Sequence, residues 1–270
     1  MKRPYQRRLA LGLPTLLGLK AQGYFIPYRH AGELPPASGY PALEPVFAAA
    51  APAMRARLAA LDELPVSPRL ARWDQDWFPR LDAAIAYDLV RERAPRRIVE
   101  VGSGHSTRFL AEAIADRGGG TQLTAIDPAP RADIGRTGAK LIAAPAPACG
   151  EAPFEALGAG DLLFIDSSHV LMPGSDVDFL LNRILPRLPA GALVHLHDIF
   201  LPDAYPEEWA WRGYNEQLGV AALLAGRAWR ILFASRYAAT RLAAEVAASA
   251  IARLPAVPGA YDSSLWLERV

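Results

Sequence analysis

In this 270-residue chain the groups able to do chemistry concentrate at the ends of short apolar runs. Ile98-Val99-Glu100-Val101 leads into Gly102-Ser103-Gly104, and Ala125-Ile126 precedes Asp127. Leu163-Phe164-Ile165 precedes Asp166, with His169 shortly after, and Val194-His195-Leu196 precedes His197-Asp198. Carboxylates and imidazoles accept or relay protons near neutrality and also ligate metal ions. A polar residue at a strand end is easily solvated, so each of these alone reads equally well as structural. Acids and histidines recurring at one run end after another exceed what packing asks for.

The elements that must position these residues are strands and helices in alternation. Ile98, Val99 and Val101 are β-branched and apolar, as a strand buried on both faces of a parallel sheet requires. The glycine turn follows. Ser106 or Thr107 can cap a helix whose apolar positions Phe109, Leu110, Ala113 and Ile114 recur at helical spacing. Further strands are expected over 121–126, 140–144, 161–165, 191–196, 229–234 and 264–269, with helices over 176–188, 215–225 and 236–253. This order predicts an α/β fold, a Rossmann-like doubly wound, seven-stranded and mainly parallel sheet. In such sheets ligands bind outside the carboxyl ends of the strands, where the polar residues stand.

The glycines let a ligand approach the backbone, and the helix start offers free N–H groups. Gly-x-Gly-x-x-Thr is not the full dinucleotide fingerprint and is weak support for NAD. Asp127 lies roughly 20 residues past the turn, where an acid accepts hydrogen bonds from ribose hydroxyls. An adenosine-type ligand is expected.

Glu100-Val-Gly-Ser-Gly-His-Ser-Thr, Ala-Ile-Asp127-Pro, Phe-Ile-Asp166-Ser-Ser-His and His-Leu-His-Asp198 together resemble the class I S-adenosylmethionine-dependent methyltransferases. The closing Ser-Leu-Trp-Leu is similar to the antiparallel last strand of that fold, and the resemblance spans about residues 80–270. An acid before the glycine turn is the methyltransferase form of this loop. The resemblance implies a cofactor site of Glu100, Gly102, Ser103, Gly104, Asp127 and Asp166, with the turn holding the methionine moiety and Asp127 the ribose.

Asp166 and the His197-Asp198 pair match positions that hold one divalent ion in metal-dependent small-molecule O-methyltransferases. The resemblance thus implies a metal set of Asp166, His197 and Asp198. His197 departs from the oxygen-only pattern and would favour Mn, Fe or Zn over Mg. Catalytic roles are expected for His169, Asp166 and His197, with His169 first choice as general base; a loop histidine bonded to backbone is the bland alternative. Without an ion, Asp166 would hold substrate. His195 reads as a supporting core group, and His105 as either pocket lining or helix-start packing.

The expected activity is O-methylation of a small hydroxylated acceptor, a sugar or natural-product intermediate. The alternatives are an NAD-dependent oxidoreductase, which would need the full fingerprint, and a non-catalytic nucleotide-binding or scaffold subunit. A net charge of +1 with 21% charged residues gives no support for nucleic acid as partner. The single cysteine, Cys149, fits a reducing compartment, and a cytoplasmic location is expected. Residues 1–79 read as an N-terminal arm and helical extension, and 80–270 as the catalytic domain. The arm starts basic and then apolar, which suits weak peripheral membrane contact, and its Tyr- and Pro-rich continuation suits a homodimer. The aromatic segments 73–78 and 205–214 are expected either to anchor the elements beside them or to overhang the ligand crevice.

Overall fold

The computed structural model describes residues 4–20, 29–30, 33–35 and 38–270. Much of the expected arm, including Gly23, Tyr24, Phe25, Pro27, Tyr28 and Gly32, lies outside the described residues. The elements in order are α1 (Pro4–Leu16), α2 (Glu44–Ala60), α3 (Arg80–Arg93), β1 (Arg97–Val101), α4 (His105–Asp116), β2 (Gln122–Ile126), β3 (Lys140–Ile142) and α5 (Ala152–Glu155). They continue as β4 (Leu162–Ile165), α6 (Asp176–Phe179), β5 (Leu193–Leu196), α7 (Glu216–Ala225), β6 (Trp229–Ala234), α8 (Ser235–Arg241), α9 (Ala243–Ala248) and β7 (Leu265–Arg269). Among the described residues no helix is long and apolar enough to cross a membrane.

The strands form one seven-stranded sheet in the order β3-β2-β1-β4-β5-β7-β6. β7 runs antiparallel to both neighbours, and the remaining pairs are parallel. This is the mainly parallel sheet with an antiparallel last strand expected above. Its parallel centre is completely buried, since Leu162 to Ile165 and Leu193 to Leu196 show no exposed residue. That burial explains why these strands read as continuous apolar runs rather than alternating ones.

Register positions the site. Val101 pairs with Ile126 on one side and Ile165 on the other, and Ile165 pairs with Leu196. The next residue of each strand is therefore Gly102, Asp127, Asp166 and His197, set side by side along one edge of the sheet. β1 lies between β2 and β4, at the point where chain order reverses direction across the sheet.

Residues 4–16 form a helix, although Pro14 lies inside it, and Leu9, Leu13 and Leu16 on it are about half exposed. Two expectations need correction. The helix expected over 176–188 begins at Asp176 but widens into a π turn at Leu180–Ile184 and tightens to 3-10 at Leu185–Arg187. Pro186 explains the change, because it has no N–H and its ring crowds the carbonyl one turn earlier. The long helix expected over 236–253 is divided into α8, α9 and a short 3-10 turn. The first break falls at buried Leu242, beside Arg241, which is tied to Asp203 and Glu44.

Candidate active site at the carboxyl edge of the sheet

The glycine turn is shaped by crowding. Gly102 has φ +81°, and a Cβ there would stand 2.0 Å from the Asp166 carbonyl oxygen, so no side chain fits. Its N–H donates to the Ile126 carbonyl at 2.9 Å. The Ser103 N–H and hydroxyl both donate to Asp127 Oδ2, at 2.7 and 2.9 Å, while Ala129 N–H donates to Oδ1 at 2.7 Å. Asp127 is thus locked in orientation, with an acceptor direction left over on Oδ1. Thr107 Oγ1 accepts from Gly104 N–H at 2.9 Å and starts α4.

Glu100, the residue two before Gly102, is completely buried. Its Oε1 accepts from the Ser106 hydroxyl at 2.7 Å, while Oε2 has no partner among the described residues. Burial pushes its carboxyl up to about 8. The acid therefore supports the helix start through Ser106.

One cavity opens above the turn, lined by Gly102, Ser103, Asp127, Pro128, Ala146 and Asp166 among others. A second adjoins it, lined by Trp77, Asp166, His197, Asp198, Arg212 and Tyr261 among others. Asp166 and Arg131 line both. The first holds most of the expected cofactor residues. Its carboxylate at Asp127 and its glycine-floored backbone suit ribose hydroxyls and a closely approaching ligand chain, so these residues fit an adenosine-type cofactor.

Behind the second cavity, carboxylates and imidazoles alternate. His169 Nδ1 donates to Glu216 Oε2 at 2.9 Å, and its Nε2 faces Asp166 Oδ1 at 3.2 Å and Asp198 Oδ2 at 3.5 Å. Asp198 Oδ1 lies 3.5 Å from His197 Nε2, and His197 Nδ1 lies 4.0 Å from Asp82 Oδ2. Burial pulls the His169 ring toward neutrality, but the hydrogen bonds to Asp166 and Glu216 and the Asp198 charge outweigh it and hold the ring well above its usual value. For Asp166 burial is likewise overcome, by the His197 charge and the His169 hydrogen bond, and its carboxyl sits well below the usual range. Burial alone would lower His197, yet Asp198, Asp166 and Asp82 raise it.

This arrangement bears on two expected roles. His169 is 2% exposed, has carboxylates on both ring nitrogens and lines neither cavity. Its ring faces Asp166 and Asp198 on one side and Glu216 on the other. His197 reaches the second cavity, but its Nε2 donates to the Trp77 carbonyl at 3.1 Å and has no lone pair for an ion, while its Nδ1 is buried without a hydrogen-bond partner, 4.0 Å from Asp82. Among the described residues no group of three or more His, Cys, Asp and Glu is disposed to hold a metal. The donor set Asp166, His197 and Asp198 does not fit a divalent ion, because the His169 ring, held well above its usual value, lies 3.2 and 3.5 Å from the two carboxylates and already balances their charge. His195 is a core group as expected: its ring stacks on Phe164 at 3.7 Å and Nε2 meets the Ser264 hydroxyl at 2.8 Å. His105 lines a small cleft with Trp77, Phe78 and Ser106.

Glu216, Asn215, Arg131 and Asp82 were missed from sequence. Glu216 and Asn215 open α7, where an acid and an amide look like ordinary helix-start residues. In the structure the Asn215 and Glu216 N–H groups donate to the His169 carbonyl at 3.0 and 3.2 Å, and Asn215 Oδ1 accepts from Leu171 N–H at 2.6 Å. The burial of Glu216, 1% exposed, marks it as unusual, and only the fold reveals that. The aromatic segments divide between the two expected roles. Trp73 is an anchor, its indole N–H donating to the Pro65 carbonyl at 2.8 Å, while Trp77 and Trp209 line the second cavity.

Residues 99–199 match the model of a family described as a methyltransferase domain, which bears out over that span the resemblance read from the motifs. No curated protein matches the chain. Among solved structures, it is similar to an SAH-bound methyltransferase from Podospora anserina at 17% identity, covering 92% of this chain and 99% of that one with a TM-score of 0.44. It is also similar to an O-methyltransferase from Bacillus cereus in complex with SAH, at 14% identity, 84% and 90% coverage and a TM-score of 0.46. Likeness at this level bears on neither the donor nor the acceptor of this chain.

Proposed function

We propose that the protein built around this methyltransferase domain uses S-adenosylmethionine to methylate a hydroxyl of a small acceptor. One observation carries the reading: Asp166 and Arg131 are walls of both cavities, so a donor above the glycine turn and an acceptor beside Asp198 would meet across them. S-adenosylmethionine, when bound, supplies a methyl group already activated by sulfonium charge. The work left to the protein is positioning, exclusion of water and acceptance of one proton. Asp127 and the Gly102–Gly104 backbone would bind the adenosine and methionine portions. Asp166 would accept the hydrogen bond of the acceptor hydroxyl and aim its oxygen at the first cavity. Asp198, next along the same wall, would receive the proton, with His169 and His197 balancing the charge of the two acids. Trp77 and Trp209 would cover the acceptor and keep water out.

Calorimetry with S-adenosylmethionine and NAD, followed by transfer of labelled methyl to a panel of sugars and phenols, tests the reading. Binding of S-adenosylmethionine alone and label in a hydroxyl of at least one acceptor are expected. Binding of NAD in its place would overturn it.

A further inference from the structure

We propose that the second cavity takes an acceptor bearing an oxyanion, a carboxylate or a phosphate, which Arg212 binds while Asp166 and Asp198 hold the hydroxyl. The inference rests on the methyltransferase reading of the adjoining cavity. Arg212 ends the 3-10 segment Glu207–Arg212. Its guanidinium lies 4.2 Å from the ring centre of Trp209 and 5.3 Å from those of Trp211 and Tyr214. Nη1 donates to the Tyr214 hydroxyl at 3.1 Å, and Nε is buried with no hydrogen-bond partner.

Among the described residues no carboxylate lies within 4.0 Å of this guanidinium. The neighbouring arginines differ. Arg236 pairs with Asp203 at 3.1 Å, and Arg241 pairs with Asp203 at 2.7 Å and Glu44 at 3.1 Å. Those two are structural. Stacked rings strip water from the faces of the Arg212 guanidinium and leave its edge as the place to bond. A planar N–H fork of this kind is matched by a carboxylate or phosphate, and a partly desolvated setting strengthens the pair. Arg131, 4.7 Å over Trp77, adds a second cation to the same cavity. Asp166 and Asp198 also line it, but both are faced by His169. Asp76 is the remaining acid of the lining. Aromatic walls with a cation at one end and hydroxyl-accepting carboxylates at the other suit a hydroxylated ring carrying an acidic group.

The test is calorimetry on the full chain saturated with SAH, titrated separately with glucuronate, glucose 6-phosphate and glucose. At least one of the two anions should bind tenfold or more tighter than glucose, and which one does so distinguishes carboxylate from phosphate. Arg212→Gln should abolish that difference, and Arg212→Lys should retain part of it. Arg212 does not line the cofactor cavity, so both variants should keep SAH affinity within about twofold, which also reports that they fold. Equal binding of the three compounds, binding of none, or an Arg212→Gln variant that still prefers the anion would overturn the inference. Failure of the wild-type chain to bind SAH would instead overturn the methyltransferase reading beneath it.

Discussion

Glu100 is completely buried and is bonded to the Ser106 hydroxyl through Oε1 alone. Its carboxyl is raised from 4.5 to about 8 by burial, so the folded state holds its proton where the unfolded chain has lost it. The contribution of this group to stability is therefore full below pH 4.5 and is lost as pH rises toward 8. Glu100→Gln has no proton to lose. Thermal melts of both proteins should show the variant gaining on wild type between about pH 5 and 8; a pH-independent difference would contradict the assignment. At Gly102 residue type alone was decisive. Gly102→Ala would place a Cβ 2.0 Å from the Asp166 carbonyl at a φ of +81°, and loss of SAH binding together with a lowered melting temperature is expected.

At the scale of elements, the site is built by clamping loops onto a row of strand ends. His169 and Asp198 both adopt left-handed backbone, with φ of 60° and 55°, a conformation that costs about 1–3 kcal/mol in residues other than glycine. Each is held by a different element: His169 by the start of α7, and Asp198 by the Ser263 hydroxyl at 3.0 Å just before β7. Asp82, at the start of α3, accepts from Ser263 and Ser264 N–H at 2.9 and 3.0 Å and ties that helix to the same place. Removing the Glu216 carboxylate leaves the buried His169 Nδ1–H without its acceptor, while Asp166 and Asp198 still face Nε2. Glu216→Ala should cost about 1–3 kcal/mol, read as a lower urea midpoint, with Glu216→Asp recovering part of it. Because the His169 ring faces Asp166 and Asp198 and His197 is committed to a carbonyl, turnover should be unchanged by excess EDTA; inhibition reversed by a divalent ion would show that these donors rearrange.

At the scale of the molecule, the helix ahead of the βα alternation shares its core. Phe47 and Met54 of α2 are completely buried, and the Phe47 ring stacks at 5.7 Å on Tyr237 of α8, close to where β6 and β7 carry the last strands. Tyr40 N–H donates to the Pro202 carbonyl at 2.6 Å, which joins the approach to α2 to the loop after β5. Phe47→Ala should therefore destabilise the whole fold by about 3–5 kcal/mol in urea denaturation, rather than fray an appendage. A loss below about 1 kcal/mol would place this helix outside the cooperative core.

The sequence by itself determined the alternation of strands and helices, the buried parallel centre and the row of polar strand ends. These follow from local chemistry: β-branched runs, glycine where a side chain cannot fit, and the pairing rule that brings successive strand ends to one edge. It also made the methyltransferase resemblance legible through the Glu100–Thr107, Asp127 and Asp166 motifs. Tertiary structure alone decided what the titratable residues do. Whether His169 meets substrate or is enclosed by carboxylates depends on where α7 docks, and Glu216 looks like any acid opening a helix. Whether His197 can ligate an ion depends on the Trp77 carbonyl, far away in the chain. Both outcomes are settled by desolvation and by partners brought from distant segments, and neither leaves a mark on local sequence pattern.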